Sequence, residues 1–166
     1  AMVEDVCEEV KIIDSYKYNL SKKDLHKQIK DFKPDIVGLT ILMDQYAQAA
    51  NITTEIIKGV SEKITTVLGG VYAMANPKRA MEDTNLDYVV IGEGEYVFRQ
   101  LVGYYCKACD LPDRGIAFRK NNGEIENRGH SAFIKDLDIL PKPAYHLIDF
   151  HAYAKSFSDR KSVDQP

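Results

Sequence analysis

The chain has little of what marks a specialised class of protein. Its 166 residues include no tryptophan and only three cysteines, Cys7, Cys106 and Cys109. So few cysteines, in an odd number, do not make a disulfide framework. Cys106-Lys107-Ala108-Cys109 has no second pair of cysteines or paired histidines to complete a metal site. It also falls at the end of an expected helix rather than at the start, where a thiol becomes reactive. There is no excess of positive charge: 22 Lys and Arg against 25 Asp and Glu give a formal charge of -3. With an isoelectric point near 5.8, the chain has no electrostatic footprint for nucleic acid. No apolar run is long enough to span a membrane and no signal-peptide pattern is present, so the chain reads as soluble and cytoplasmic. His26, His130, His146 and His151 are scattered, and no metal role is assigned to any. No nucleophile stands beside a base, so no catalytic residue is expected in this chain taken alone.

What the sequence does have is alternation. Short apolar strands are expected over residues 10–13, 35–39, 65–68 and 87–91. Each is followed by a helical pattern. Ser21 opens the first helix with Asp24 in a capping-box position, and Leu25, Ile29 and Phe32 share one face. Pro34 ends that helix. Asp44 is expected to cap a second helix, with Ala49, Thr53, Ile56, Ile57 and Val60 as its apolar stripe. Asn76-Pro77 is a third helix start, and residues 93–106 form a further helix with Val97, Leu101 and Tyr105 inward. Continuous apolar strands alternating with helices imply a mostly parallel α/β sheet of flavodoxin-like type, covered on both faces. Residues 3–9 read as the last turns of an amphipathic helix. The opening strand, and most of the helix after it, are therefore expected to be missing.

From Gly115 the pattern changes. Residues 115–119 and 124–126, separated by Asn121-Asn122-Gly123, read as a β-hairpin. After Phe133 the chain is linker-like. The expected organisation is an α/β domain over residues 1–112, a hairpin extension over 113–135 and a linker over 136–166. Tyr145, Phe150, Tyr153 and Phe157 are expected to pack against a further domain.

One spacing points to a ligand. Thr40-Ile41-Leu42 closes the strand at 35–39; twenty-six residues later Gly69-Gly70 closes the strand at 65–68. Ligands of open α/β sheets bind beyond the carboxyl ends of the strands. Glycine there lets backbone approach a ligand without a Cβ intervening. The slot between these strand ends is expected to be open, and a leucine at Gly70 to block it without unfolding the domain.

These residues resemble the cobalamin-binding domain found at the N-terminus of many radical S-adenosylmethionine enzymes. The family pattern is Asp-x-His-x-x-Gly, a long gap, Ser-x-Leu, a shorter gap and Gly-Gly. Thr40-x-Leu42 and Gly69-Gly70 match its last two elements, with threonine for serine. A closer subgroup is matched by Lys11-Ile12-Ile13-Asp14, by residues 34–40, and by Leu68-Gly69-Gly70-Val71-Tyr72-Ala73. Asp87-Tyr88-Val89-Val90-Ile91-Gly92-Glu93-Gly94-Glu95 and Asp136-Leu137-Asp138-Ile139-Leu140-Pro141-Lys142-Pro143-Ala144-Tyr145 extend the match. The resemblance implies cobalamin as cofactor, with Thr40, Leu42, Gly69, Gly70, Val71, Tyr72, Gly92, Glu93 and Gly94 around it. The flat dimethylbenzimidazole of the tail would enter the slot, and the Thr40 hydroxyl would hydrogen-bond a ring nitrogen or the tail sugar.

Two departures qualify the match. The Asp-x-His-x-x-Gly loop would fall before residue 1, so no protein ligand to cobalt is implied. Cys-x-x-x-Cys-x-x-Cys, the cluster motif of the family's barrel, does not occur in the sequence. The implied partner is therefore a downstream radical S-adenosylmethionine domain of the same polypeptide, carrying the 4Fe-4S cluster and S-adenosylmethionine. That parent enzyme would be a methyltransferase or an oxidative cyclase. The rival reading is a degenerate flavodoxin-like interaction domain that no longer binds corrinoid. A flavodoxin or response regulator fits less well, because the chain shows neither a phosphate loop nor a phosphoacceptor cluster.

Overall fold

The computed structural model describes residues 1–154. The capping chemistry at Ser21 forms in full. In α1 (Lys22–Phe32) the Ser21 hydroxyl accepts from the Asp24 N–H, and the Asp24 carboxylate accepts from the Ser21 N–H. Lys33 closes the helix in the left-handed region, at φ 54, one residue before the proline that forbids its continuation.

The chain then runs through β1 (Ile36–Thr40), a 3-10 turn (Asp44–Tyr46), α2 (Ala47–Val60) and β2 (Thr65–Gly69). Next come α3 (Val71–Ala75), α4 (Pro77–Ala80), β3 (Tyr88–Val90) and α5 (Glu95–Tyr105), and finally β4 (Ile116–Arg119) and β5 (Ile125–Asn127). The strands form one sheet in the order β1-β2-β3-β4-β5. β1, β2 and β3 are parallel, while β3–β4 and β4–β5 are antiparallel. The fold is the expected flavodoxin-like α/β arrangement, and the hairpin continues its sheet.

Alternation along each strand divides the core between two faces. On one face Val37 and Leu39 meet Ile29 of α1 and Ile57 of α2. Leu68, Val89, Ile91 and Ala117 pack there against Ala50, Tyr72, Ala73 and Met81. On the other face Val67, Val90 and Ile116 pack against Val97 and Leu101 of α5. Burying such side chains contributes roughly 1.5–3 kcal/mol each before entropy is counted.

Several expectations are corrected. Residues 10–13 form no strand; they have no regular structure, and Ile12 is exposed. A strand needs a hydrogen-bonded neighbour, and among the described residues no ladder joins residues 10–13 to β1, whose single partner is β2. Residues 3–9 make turns rather than a helix, with one helical bond from Cys7 N–H to Val3 O (3.0 Å). They dock beside α5, where the Arg99 guanidinium donates to Met2 O and to both Asp5 oxygens.

Asp44 does not cap α2. It sits in the 3-10 turn and pairs with Arg79 at 3.1 Å. That turn resets the helix, whose buried positions are Ala50, Thr54 and Ile57 rather than Ala49, Thr53 and Ile56. The buried Thr54 hydroxyl is satisfied by Asn51 O and Asp83 Oδ2. Tyr105 is exposed, although its hydroxyl meets Thr65 Oγ1. Tyr145 and Phe150 are exposed and stacked edge to face at 5.1 Å. Phe157 lies outside the described residues.

Candidate functional site

The C-terminal ends of β1, β2 and β3 lie on one edge. Thr40 is the register partner of Gly69, so the two strand ends picked out by spacing stand side by side. β3 leads into Gly92-Glu93-Gly94 along the same edge. Beyond the strand ends, the loop after β1 is stitched to the loop after β2. Ile41 N–H donates to Gly69 O (3.3 Å), and Tyr72 N–H donates to Ile41 O (3.4 Å).

That stitching changes the meaning of Gly70. Its φ is +91, and a Cβ placed there would lie 2.4 Å from Ile41 O and 2.8 Å from Thr40 Oγ1. The space beside Gly70 is filled by the chain itself, so glycine is needed for a close backbone approach. Gly69 differs. A Cβ on it would meet nothing nearer than Leu39 O and Val90 Cβ, both at 4.0 Å. Counting along β2, Gly69 and its partner Thr40 face α5, as Val67 does. Gly38 and Gly94 continue this row of small residues, and a Cβ on them would come to 3.4 Å from Phe98 and Val90 respectively. Space for a side-chain atom is therefore on the α5 side of the strand ends, at Gly69, rather than beside Gly70.

The rim of the edge is apolar and exposed. Leu42 is 65% exposed, Met43 50% and Val71 52%. Large apolar side chains left in water at the carboxyl edge of a parallel sheet are what a bulky, partly apolar ligand would cover. Tyr72, by contrast, is buried inside α3, and its phenol is pushed up by burial while Arg79 pulls it down. Only its backbone is within reach of the edge, which leaves Leu42 and Val71 as the exposed apolar side chains of the expected set, beside the exposed Thr40.

Glu93 already has a partner, its Oε2 accepting from Ile134 N–H at 2.5 Å. Next to it, Glu95 Oε2 is buried with no hydrogen-bond partner among the described residues, an acceptor that a ligand hydroxyl or amide would satisfy. In the sequence Glu95 stands out only as the last residue of the matched segment over 87–95, and Met43 carries no signal. Taken together, the exposed apolar rim, the small residues on the α5 side and this orphaned acceptor fit a large ligand with an apolar face and a polar tail.

A family model, the B12 binding domain, matches residues 1–102. An uncharacterized methyltransferase of Pyrococcus horikoshii is 34% identical over 147 residues, which are 87% of this chain and 32% of that protein. The anaerobic magnesium-protoporphyrin IX monomethyl ester cyclase of Rubrivivax gelatinosus is 31% identical over 150 residues, 87% of this chain and 27% of the cyclase. The chain thus spans about a third, or less, of these relatives' length. Among solved structures, the radical S-adenosylmethionine methyltransferase TsrM of Kitasatospora setae, with cobalamin and a [4Fe-4S] cluster bound, superposes with a TM-score of 0.66. That match has 19% identity and covers 82% of this chain and 26% of TsrM. The cobalamin-dependent radical enzyme OxsB gives 0.56 at 24% identity, over 68% of this chain and 16% of OxsB. Both likenesses concern the fold, and the family assignment rests on the match over residues 1–102. The chain belongs to the B12-binding domain family.

Proposed function

We propose that this domain holds cobalamin at the carboxyl edge of its sheet, for a radical S-adenosylmethionine methyltransferase or oxidative cyclase. The observation that carries the reading is the juxtaposition of Thr40 and Gly69, in register on one edge, inside the stretch that the B12-binding family matches. The tail ring would lie on the α5 side of Gly69, within reach of the Thr40 hydroxyl. Leu42, Met43 and Val71 would meet the corrin, and backbone around Gly70–Tyr72 and Gly92–Gly94 would meet its amides and the tail phosphate. Glu95 would accept from a hydroxyl or amide of the tail.

Cobalamin, when bound, supplies the organometallic chemistry at cobalt. This chain's own residues bind and orient it and keep water from its buried side. The 4Fe-4S cluster and S-adenosylmethionine would belong to a downstream domain of the same polypeptide, reached through residues 136–166. Residues 1–112 would form the cofactor domain, and residues 113–135 an extension of its sheet. A cytoplasmic setting suits such an enzyme, and no helix among the described residues is long and apolar enough to cross a membrane.

Equilibrium dialysis against hydroxocobalamin, read by the corrinoid absorbance, tests the proposal. Saturable uptake with one corrinoid per chain is expected. Absence of uptake would return the domain to the interaction-module reading.

A further inference from the structure

After β5 the chain turns back across the loop that follows β3 and is fixed there from several sides. Gly115 N–H donates to Gly129 O (3.1 Å), Ser131 N–H to Ile91 O (2.9 Å) and Ile134 N–H to Glu93 Oε2 (2.5 Å). Two glycines make room for this strap. Gly92 and Gly115 have φ of +97 and +79, and a Cβ on them would lie 2.5 Å from Ser131 Oγ and 2.9 Å from Ser131 Cβ respectively. Ser131 Oγ is buried without a hydrogen-bond partner among the described residues. The serine thus holds by shape, and the side-chain bond between strap and loop comes from Glu93. Beneath the strap is a cleft of about 380 Å3, lined in part by Glu93, Tyr96, Arg114, Ser131 and Ile134. Beyond the strap, Leu137, Ile139 and Tyr145 are exposed.

We propose that Glu93 is a positioning residue that couples the strap over residues 129–135 to the cofactor edge. Glu93 stands between two glycines of the loop that continues β3, so any ligand that selects one arrangement of the loop also selects the position of the Glu93 carboxylate. That carboxylate holds Ile134, and Ile134 sets the path of the exposed apolar segment that follows. Occupancy of the edge and order of the strap then rise and fall together, and the coupling is equal in both directions. The identity of the ligand rests on the corrinoid reading above; the clamp itself stands on the geometry of this chain.

Hydrogen exchange of a peptide covering residues 129–137, in the protein with and without hydroxocobalamin, tests the coupling, with corrinoid uptake measured in parallel. Without corrinoid, Glu93→Ala is expected to speed strap exchange about tenfold or more, as loss of a charge-assisted hydrogen bond implies. Glu93→Gln keeps an acceptor and should fall between Glu93→Ala and the parent. It carries the test if the alanine variant fails to fold by circular dichroism. Hydroxocobalamin is expected to slow strap exchange in the parent, less so in Glu93→Ala, whose affinity should fall by the same factor. Unchanged strap exchange in a folded Glu93→Ala overturns the clamp. Corrinoid uptake by the parent with no change at the strap overturns the coupling. No uptake at all overturns the corrinoid reading and the coupling with it, while the exchange rates without corrinoid still decide the clamp.

Discussion

The two edges of this sheet are built from opposite materials. At the N-terminal ends of β2 and β3 the polar groups are tied to one another. Lys58 Nζ reaches Ile64 O (2.8 Å) and Asp87 Oδ2 (2.7 Å). The same Asp87 oxygen accepts from Thr66 N–H (2.8 Å), and Asp87 N–H donates back to Thr66 Oγ1 (3.1 Å). Thr65 and Tyr105 close the other face there. At the C-terminal ends the described residues make only separate side-chain bonds, the Asp44–Arg79 pair and the Glu93–Ile134 bond. Apolar side chains stand in water, two glycines hold positive φ, and a buried carboxylate oxygen has no partner among the described residues. A fully satisfied polar cluster rigidifies, whereas an incomplete one marks where something else binds. One edge stabilises the sheet, and the other is the one we propose for the ligand.

Substitutions should separate the two edges. The largest effect is expected at Gly70, where Leu meets Ile41 O and must adopt φ near +91. Overpacking costs about 1–3 kcal/mol and a left-handed side-chain residue about 1–2 more. Gly70→Leu should therefore lower the denaturation midpoint and lose corrinoid together. This replaces the expectation from sequence that it would block binding in an intact fold. At the opposite edge, Lys58→Met removes the cation from Asp87. Breaking a buried pair costs roughly 3–5 kcal/mol, but Asp87 is about a third exposed, which reduces the loss to about 1–3. Urea denaturation should show that loss, and corrinoid uptake should be unchanged.

The tyrosines at the stabilising edge predict an alkaline limit. Burial, followed by the nearby Tyr104, Tyr105 and Asp87, pushes the Tyr88 phenol up to about 12, and burial also raises Tyr105. A phenol raised in the folded state contributes stability below its unfolded value near 10. That stability is lost as pH climbs from about 10 to about 12. Circular dichroism recorded alongside phenolate absorbance should show unfolding accompanying the ionisation of these tyrosines. The smallest effect is expected for Thr40→Ala, which removes one exposed hydroxyl. At about 0.5–1.5 kcal/mol for a single hydrogen bond, it should weaken corrinoid affinity several-fold and leave stability unchanged.

What could be read in advance followed from local chemistry. The apolar runs at β2 and β3 are continuous because both faces are covered, and the Ser21–Asp24 capping box lies within four residues. Both were visible in the sequence. Residues 10–13 have the composition of a strand, but a strand needs a neighbour, and pairing cannot be read from one segment. α3 is a five-residue helix beginning directly after Gly70, too short for any periodicity to show. At the site, spacing correctly placed Thr40 beside Gly69 on one edge. It could not show that Ile41 fills the space at Gly70, or that Glu93 bonds a residue 41 positions away, because such contacts exist only once the strap has folded back.

The claim that the two edges divide stability from binding is tested most directly by hydroxocobalamin affinity measured side by side for Gly69→Leu and Lys58→Met. Gly69 has ordinary contact distances around its missing Cβ, so leucine there should be tolerated by the fold while filling the space on the α5 side. The account predicts that Gly69→Leu loses about tenfold or more in affinity, the effect of roughly 1.4 kcal/mol, with its denaturation midpoint near the parent's. Lys58→Met should show the reverse. Parent-like affinity in Gly69→Leu, or an equal loss of affinity in a folded Lys58→Met, would contradict it.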